Sequence, residues 1–245
     1  YESFCFFFDN FFSLILLPRL NQQWIRMIFN IRILVQQKLS MRLFLISGFL
    51  GSGKTTSIAQ ACRQLISSDT RVAVITNDQG LNQVDSAYLK GLRLPVGEVA
   101  EGCFCCRFDE LAQTIDSLAD SAKPEIIFAE TVGSCTDLVA TVVKPLQRRY
   151  HDFRIMLCSF ADAWLLYSLI SGTSAFIDES VQYLFRKQLE EADMIVLNKC
   201  DLLNDSDLEK VKHILQSDYP GKAIHCQIEK VKHILQSDYP GKAIH

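Results

Sequence analysis

The chain has 245 residues, 49% of them hydrophobic, and a formal net charge of −3. That is enough for one α/β domain with a substantial core, and interspersed charges with no basic tail or stripe speak against a nucleic-acid partner. Nine cysteines form an odd set without the regular spacing of a secreted disulfide scaffold, so they read as reduced thiols in a cytoplasmic setting.

Residues 1–40 differ from the rest of the chain. YESFCFFFDNFFSLILLPRL is rich in Phe but carries Glu2, Asp9 and Asn10 inside its apolar run. A secretory signal needs a basic start, and a membrane span needs about 20 uninterrupted apolar residues. Neither pattern is met. Met41 opens MRLFLISGFLGSGKTT as a natural start would, so residues 1–40 are expected to be an upstream extension rather than part of the fold, a hydrophobic anchor being the alternative.

From residue 41 onward, short apolar runs alternate with helical patterns, as in a mostly parallel sheet with crossover helices. Strands are predicted at 42–47, 71–76, 125–129, 154–160 and 193–197, and helices at 54–67, 108–119, 137–149, 178–191 and 206–217. Pro145 is expected to kink or end the third helix. At the far end, EKVKHILQSDYPGKAIH occurs at 209–225 and again, letter for letter, at 229–245. Structural repeats diverge and need about three copies to share a core. The segment 226–245 is therefore expected to lie outside a domain spanning 41–225.

GFLGSGKT, residues 48–55, matches G-x-x-x-x-G-K-[ST] between a predicted strand and a predicted helix. Gly48, Gly51, Ser52 and Gly53 let backbone N–H groups turn inward onto phosphate oxygens at a helix N-terminus. Lys54 reaches the β- and γ-phosphates, and Thr55, followed by Thr56, offers its hydroxyl to Mg²⁺. This predicts a three-layer P-loop NTPase fold that binds a nucleotide. NKCD, residues 198–201, selects the base: Asp201 can accept both guanine N1–H and the 2-amino group, Asn198 serves the N7 side, and the Lys199 stem covers the ring. GTP is thereby favoured over ATP. IIFAETVG ends its strand in Glu130, a candidate for holding Mg²⁺ and, with Lys54, for catalysis, and Asp78 in ITNDQG is the other candidate acid. No arginine or glutamine stands out as a finger or water-orienting group, which predicts slow intrinsic hydrolysis raised by a partner.

GEVAEGCFCC, residues 97–106, places Cys103, Cys105 and Cys106 between the phosphate loop and the Glu130 strand. Soft thiolates favour Zn²⁺ and similar ions, and Cys103 with Cys106 has the spacing of a metal knuckle. A redox pair and plain structural thiols are the competing readings. Cys62 and Cys158 fall at core positions. Cys135, in ETVGSCTD, could reach the thiol run only if its loop folds over, and it is left out of the metal set.

The ordered set GFLGSGKTT, NDQG, EGCFCC, ETVG and NKCD resembles the CobW/HypB/UreG class of GTPases, and within it the CobW-like members, over about residues 41–225. The resemblance implies coupling of GTP hydrolysis to binding and delivery of a transition metal, Zn²⁺ or Co²⁺, held by Cys103, Cys105 and Cys106. It further implies an acceptor, either a metalloprotein or an enzyme of a metal-cofactor pathway such as cobalamin biosynthesis, and allows a homodimer. Glu130 and Gly133 become the class's Glu-x-x-Gly element. Two departures stand out. Asn77-Asp78-Gln79-Gly80 replaces the more usual Asn-Glu-x-Gly, and the duplicated segment stands where relatives carry a last strand, a guanine-covering loop and a C-terminal domain. An ATPase or kinase with a structural zinc knuckle, and a truncated remnant without turnover, are the alternatives.

Overall fold

Every residue of Arg42–Gly48 is buried, as in a strand covered by helices on both faces. This strand, β1, lies in the middle of the sheet. The computed structural model describes residues 41–77, 91, 94–100, 102–172 and 178–226. Residues 1–40, Asp78 and the second copy of the repeat lie outside the described residues. Strands β2 (Val72–Thr76), β3 (Val96–Glu98), β4 (Ile126–Glu130), β5 (Arg154–Asp162), β6 (Met194–Asn198) and β7 (Ala223–Cys226) come next in the chain. They form one seven-stranded sheet in the order β3-β2-β4-β1-β5-β6-β7. Every neighbouring pair runs parallel, so all strands end on the same edge, where ligands bind in such sheets.

The helices are α1 (Lys54–Ser67), α2 (Phe108–Ala122), α3 (Lys144–Arg149), α4 (Ala163–Ile170), α5 (Glu179–Glu191) and α6 (Asp205–Asp218). A turn of π-helix, Val139–Val143, leads into α3, and Pro145 sits in the first turn of α3. Val143 and Lys144 are themselves helical, so Pro145 lies inside one helical run where the π-turn passes into α3, a break in regularity at the residue expected to kink the helix and not an end.

Strand alternation assigns the packing. Leu43, Leu45, Ala73, Ile75, Ile127 and Ala129 form one face with Leu111 and Ile115 of α2 and Leu146 of α3. The alternate residues Phe44 and Phe128 are register partners, and their rings stack with centroids 5.5 Å apart. Helix α1 buries Ile58, Ala61, Cys62 and Leu65 and packs on β1, β2 and β4. Fully burying such side chains contributes about 1.5–3 kcal/mol each. Cys62 and Cys158 are both core residues, and burial pushes the Cys62 thiol up to about 12.

Two edge elements revise the expected boundaries. The last strand of the sheet is present: β7 pairs with β6, with Leu197 opposite Cys226. It is built from the end of the first repeat copy plus Cys226, so the sheet runs one residue past the expected limit at 225. Strand β5 extends to Asp162, two residues beyond the predicted end. Among the described residues no helix is long and apolar enough to cross a membrane.

Candidate nucleotide and metal site

Between β1 and α1 the chain makes three left-handed backbone turns, at Gly48 (φ 133°), Gly51 (φ 75°) and Gly53 (φ 88°). Side chains rarely allow such values. At Gly48 space is also decisive, because a Cβ would lie 2.3 Å from the carbonyl oxygen of Phe160 on β5. The loop therefore rests directly on the neighbouring strand. Lys54 is buried and turns its Nζ back onto the loop, donating to the carbonyls of Gly48 (3.0 Å) and Phe49 (3.4 Å). Ser52 is buried too, and its Oγ has no hydrogen-bond partner among the described residues. An unsatisfied buried hydroxyl in this loop is what a bound polar ligand would complete.

Thr55 lies in the first turn of α1, half-buried beside the last residue of β4. Its Oγ1 donates to Glu130, 2.9 Å from Oε1 and 3.0 Å from Oε2. The sheet thus brings together the hydroxyl and the carboxylate expected to serve Mg²⁺, from positions far apart in the chain. The pair is an all-oxygen donor set, which suits that hard cation. Gly133, three residues on, is pressed against the same loop: a Cβ there would lie 2.8 Å from the Leu50 backbone nitrogen.

The NKCD turn closes the other side. Asn198 is wholly buried at the end of β6. Its Nδ2 donates to the carbonyl of Ser52 (2.9 Å), and its Oδ1 accepts from Lys199 N–H (2.9 Å). Lys199, in left-handed conformation (φ 57°), reaches over the phosphate loop and donates to the carbonyl of Gly51 (2.7 Å) and to Asp162 (2.9 Å). Asp201 sits in a short 3₁₀ turn, Cys200–Leu202, with its side chain in solvent. Asp162 was not anticipated. It ends β5 as register partner of Asn198, and its Oδ1 caps α4 by accepting from Leu165 N–H (3.0 Å). One carboxylate therefore starts a helix and orients a lysine; an acid just past a buried apolar run was the only signal for it.

The thiol loop comes after β3. Cys103, Cys105 and Cys106 lie with their sulfurs all within 4.8 Å of one another. The spacings are 2.6 Å for Cys103–Cys105, 3.2 Å for Cys103–Cys106 and 3.9 Å for Cys105–Cys106. Three features hold the loop. Phe104 is fully buried between the thiols, Cys106 and Arg107 N–H groups both donate to Cys103 O at 3.0 Å, and Asn77 Nδ2 donates to Gly102 O at 2.7 Å and Val99 O at 3.2 Å. Asn77 comes directly after β2, so the NDQG element contributes a residue that positions the thiols.

Burial alone would raise the Cys103 thiol. Hydrogen bonds from the Cys105 and Cys106 side chains and backbone outweigh it and bring Cys103 down to about 7. For Cys105, burial and the hydrogen bond to a Cys103 thiolate act together and push it up to about 12. One ready thiolate beside a protonated Cys105 is the expected poise of an apo soft-metal site.

Two further residues gather at the thiols. Cys135 is buried; burial first, then the Cys103 charge and hydrogen bond, push its thiol up to about 12. Gln188 on α5, nearly fully buried, donates through Nε2 to the carbonyls of Gly133 (2.9 Å) and Cys135 (3.1 Å). Its signal in the sequence was a lone polar residue at core spacing between Phe185 and Leu189.

An all-parallel sheet whose central strand delivers a glycine-rich loop to a helix N-terminus is the build of a P-loop nucleotide-binding domain. The description "CobW/HypB/UreG, nucleotide-binding domain" matches residues 42–225. The chain belongs to that family. It is 32% identical over 160 residues to the zinc chaperone YeiR of Escherichia coli K12, covering 64% of this chain and 46% of that protein. It is 28% identical over 200 residues to the zinc chaperone CobW of a Sinorhizobium species, covering 70% and 54%. The zinc-regulated GTPase metalloprotein activator 1 of Dictyostelium discoideum is 24% identical over 209 residues, covering 71% and 43%. The matched region thus spans about half the length of these curated relatives. Among solved structures, HypB of Helicobacter pylori in complex with nickel superposes with a TM-score of 0.52 at 16% identity, covering 91% of this chain and 97% of that one. FtsY of Elizabethkingia anophelis with GDP gives 0.53 at 16%, covering 84% and 65%. Both likenesses concern the fold.

Proposed function

We propose that this chain binds and slowly hydrolyses GTP and couples nucleotide state to the loading and delivery of a thiophilic metal ion, Zn²⁺ or Co²⁺, at Cys103, Cys105 and Cys106. The observations that carry the reading are the convergence of three thiols on a loop that Asn77 holds, and a complete phosphate loop, with Gly133 packed against it, in the same all-parallel sheet domain. The relatives' names, zinc chaperones and a zinc-regulated activator, support the same assignment.

The chain's own groups divide the work. Gly48, Gly51, Ser52, Gly53 and Thr56 cradle the phosphates, and Lys54 exchanges the loop carbonyls for phosphate oxygens. Thr55 and Glu130, with Asp78 as a further candidate, would hold Mg²⁺, which neutralises phosphate charge when bound. Asp201 accepts the two guanine donors, Lys199 covers the ring, and Asn198 locks the base and phosphate loops together. Three thiols leave a transferred ion accessible to an acceptor metalloprotein or a second copy of the chain, and the free thiols suit a reducing cytoplasm.

The test is a Zn²⁺ and Co²⁺ titration of the chain with and without a non-hydrolysable GTP analogue, repeated on Cys103→Ser/Cys105→Ser/Cys106→Ser. Affinity that depends on the thiols and shifts about 5- to 150-fold with nucleotide supports coupling. Identical affinity in every nucleotide state makes the thiols a structural knuckle and sinks the chaperone reading.

A further inference from the structure

We propose that Cys135 is a fourth thiolate ligand, completing a four-sulfur site with Cys103, Cys105 and Cys106. The proposal rests on the metal reading of those three cysteines. Cys135 comes from a different segment, the loop after β4, yet it is 7% exposed and belongs to the same buried cluster as Phe104, the residue between Cys103 and Cys105. Cys103 and Cys105 in turn pack on the cluster to which Cys135 belongs.

The geometry sets what must happen for it to ligate. Sulfurs around tetrahedral zinc at about 2.3 Å stand about 3.8 Å apart. The Cys135 sulfur lies outside the group in which all sulfurs are within 4.8 Å of one another. A small inward turn of its side chain or loop would close the shell. The loop's backbone is well placed for this: Cys135 N–H donates to Val132 O at 3.1 Å, and Gln188 holds the carbonyls of Gly133 and Cys135. On binding, the thiols still protonated release their protons to the buffer and four thiolate lone pairs form four metal–sulfur bonds, leaving a site of net charge −2.

The location has a functional consequence. Gly133, two residues before Cys135, abuts the phosphate loop at Leu50. A shift of this loop with the nucleotide would add or withdraw one ligand, converting a closed four-thiolate site into an open three-thiolate site from which an acceptor could take the ion. The fourth ligand would thus be the moving part.

Co²⁺ is the probe, since its sulfur-to-metal charge-transfer absorption grows with the number of bound thiolates. In the full chain, Cys135→Ser and Cys135→Ala are expected to lower that absorption to about three quarters and weaken Zn²⁺ binding about 10- to 100-fold, with nucleotide binding retained. Unchanged absorption and affinity in both variants would overturn the proposal while leaving the three-thiol site standing. If the variants do not fold, X-ray absorption of the zinc-loaded wild-type chain decides: four sulfurs per zinc support the inference, and three sulfurs with a lighter atom refute it. No charge-transfer band in the wild-type chain would instead overturn the metal reading itself.

Discussion

Asp162 illustrates how one side chain links helix and ligand chemistry. Its two oxygens have separate partners, Leu165 N–H at the start of α4 and the Lys199 ammonium. The change to Asn separates these roles, because asparagine caps a helix about as well as aspartate but offers Lys199 no charge. Asp162→Asn is therefore expected to fold normally and to bind GTP about 10-fold more weakly, the equivalent of ~1.4 kcal/mol, through a less ordered lysine over the base site. Isothermal titration with GTP, alongside a thermal melt, checks this; unchanged affinity would show that Lys199 needs no carboxylate to hold its place. The other residues of the candidate nucleotide site were readable because motif chemistry names them: Gly48 through Thr56, Glu130 and NKCD all come together at the ends of β1, β4 and β6. Asp162 and Gln188 belong to no motif, and their links to the site, Asp162 to Lys199 and Gln188 to Gly133 and Cys135, cross long stretches of sequence, so only the fold reveals them.

The five predicted strands and five predicted helices all form, within a few residues of their expected limits, because each carries a long apolar period. The elements that were not predicted lack that property. Strand β3 has three residues, none of them buried, and β7 has four at the sheet edge. Helix α4, AWLLYSLI, is apolar on nearly all sides and offers no amphipathic period to separate it from the strand before it. The thiol loop is a third case, since its order comes from a single anchor. Phe104 is among the largest wholly buried side chains, and it fixes the turn from which Cys103, Cys105 and Cys106 project. Truncation to Ala is expected to cost about 3–5 kcal/mol and to loosen the thiols, although every sulfur remains. Phe104→Leu, which keeps most of the volume, should recover much of both. Melting curves and Co²⁺ titrations of the two variants test this, and full metal affinity in Phe104→Ala would show that the thiols organise themselves.

At the scale of the whole molecule, the repeated segment poses the sharpest question, because two identical 17-residue stretches, 209–225 and 229–245, compete in principle for one place. The first copy holds it. Val211 and Leu215 of α6 are buried in the cluster with Ile195 and Leu197, and Ala223–Cys226 pairs in register with β6. Residues 201–208 lead directly from the NKCD turn into α6, with Asn204 capping it by accepting from Asp207 N–H at 2.9 Å. For the second copy to take the same place, about 20 more residues would have to loop out between that turn and the helix, at a closure cost of the order of 1 kcal/mol and with the loss of the cap. The first copy is therefore favoured although the sequences are the same, and residues 41–226 are expected to be a self-sufficient nucleotide-binding domain. A chain of that length should melt within about 2 °C of the 245-residue chain, a shift of no more than ~1 kcal/mol, and bind GTP equally well. Removal of Ala223–Cys226 as well should lower the melting point, since β6 becomes an edge and the packing of Cys226 and Ile224 on the cluster is lost. A large loss of stability already at 226 would mean that the duplicated segment has joined the fold.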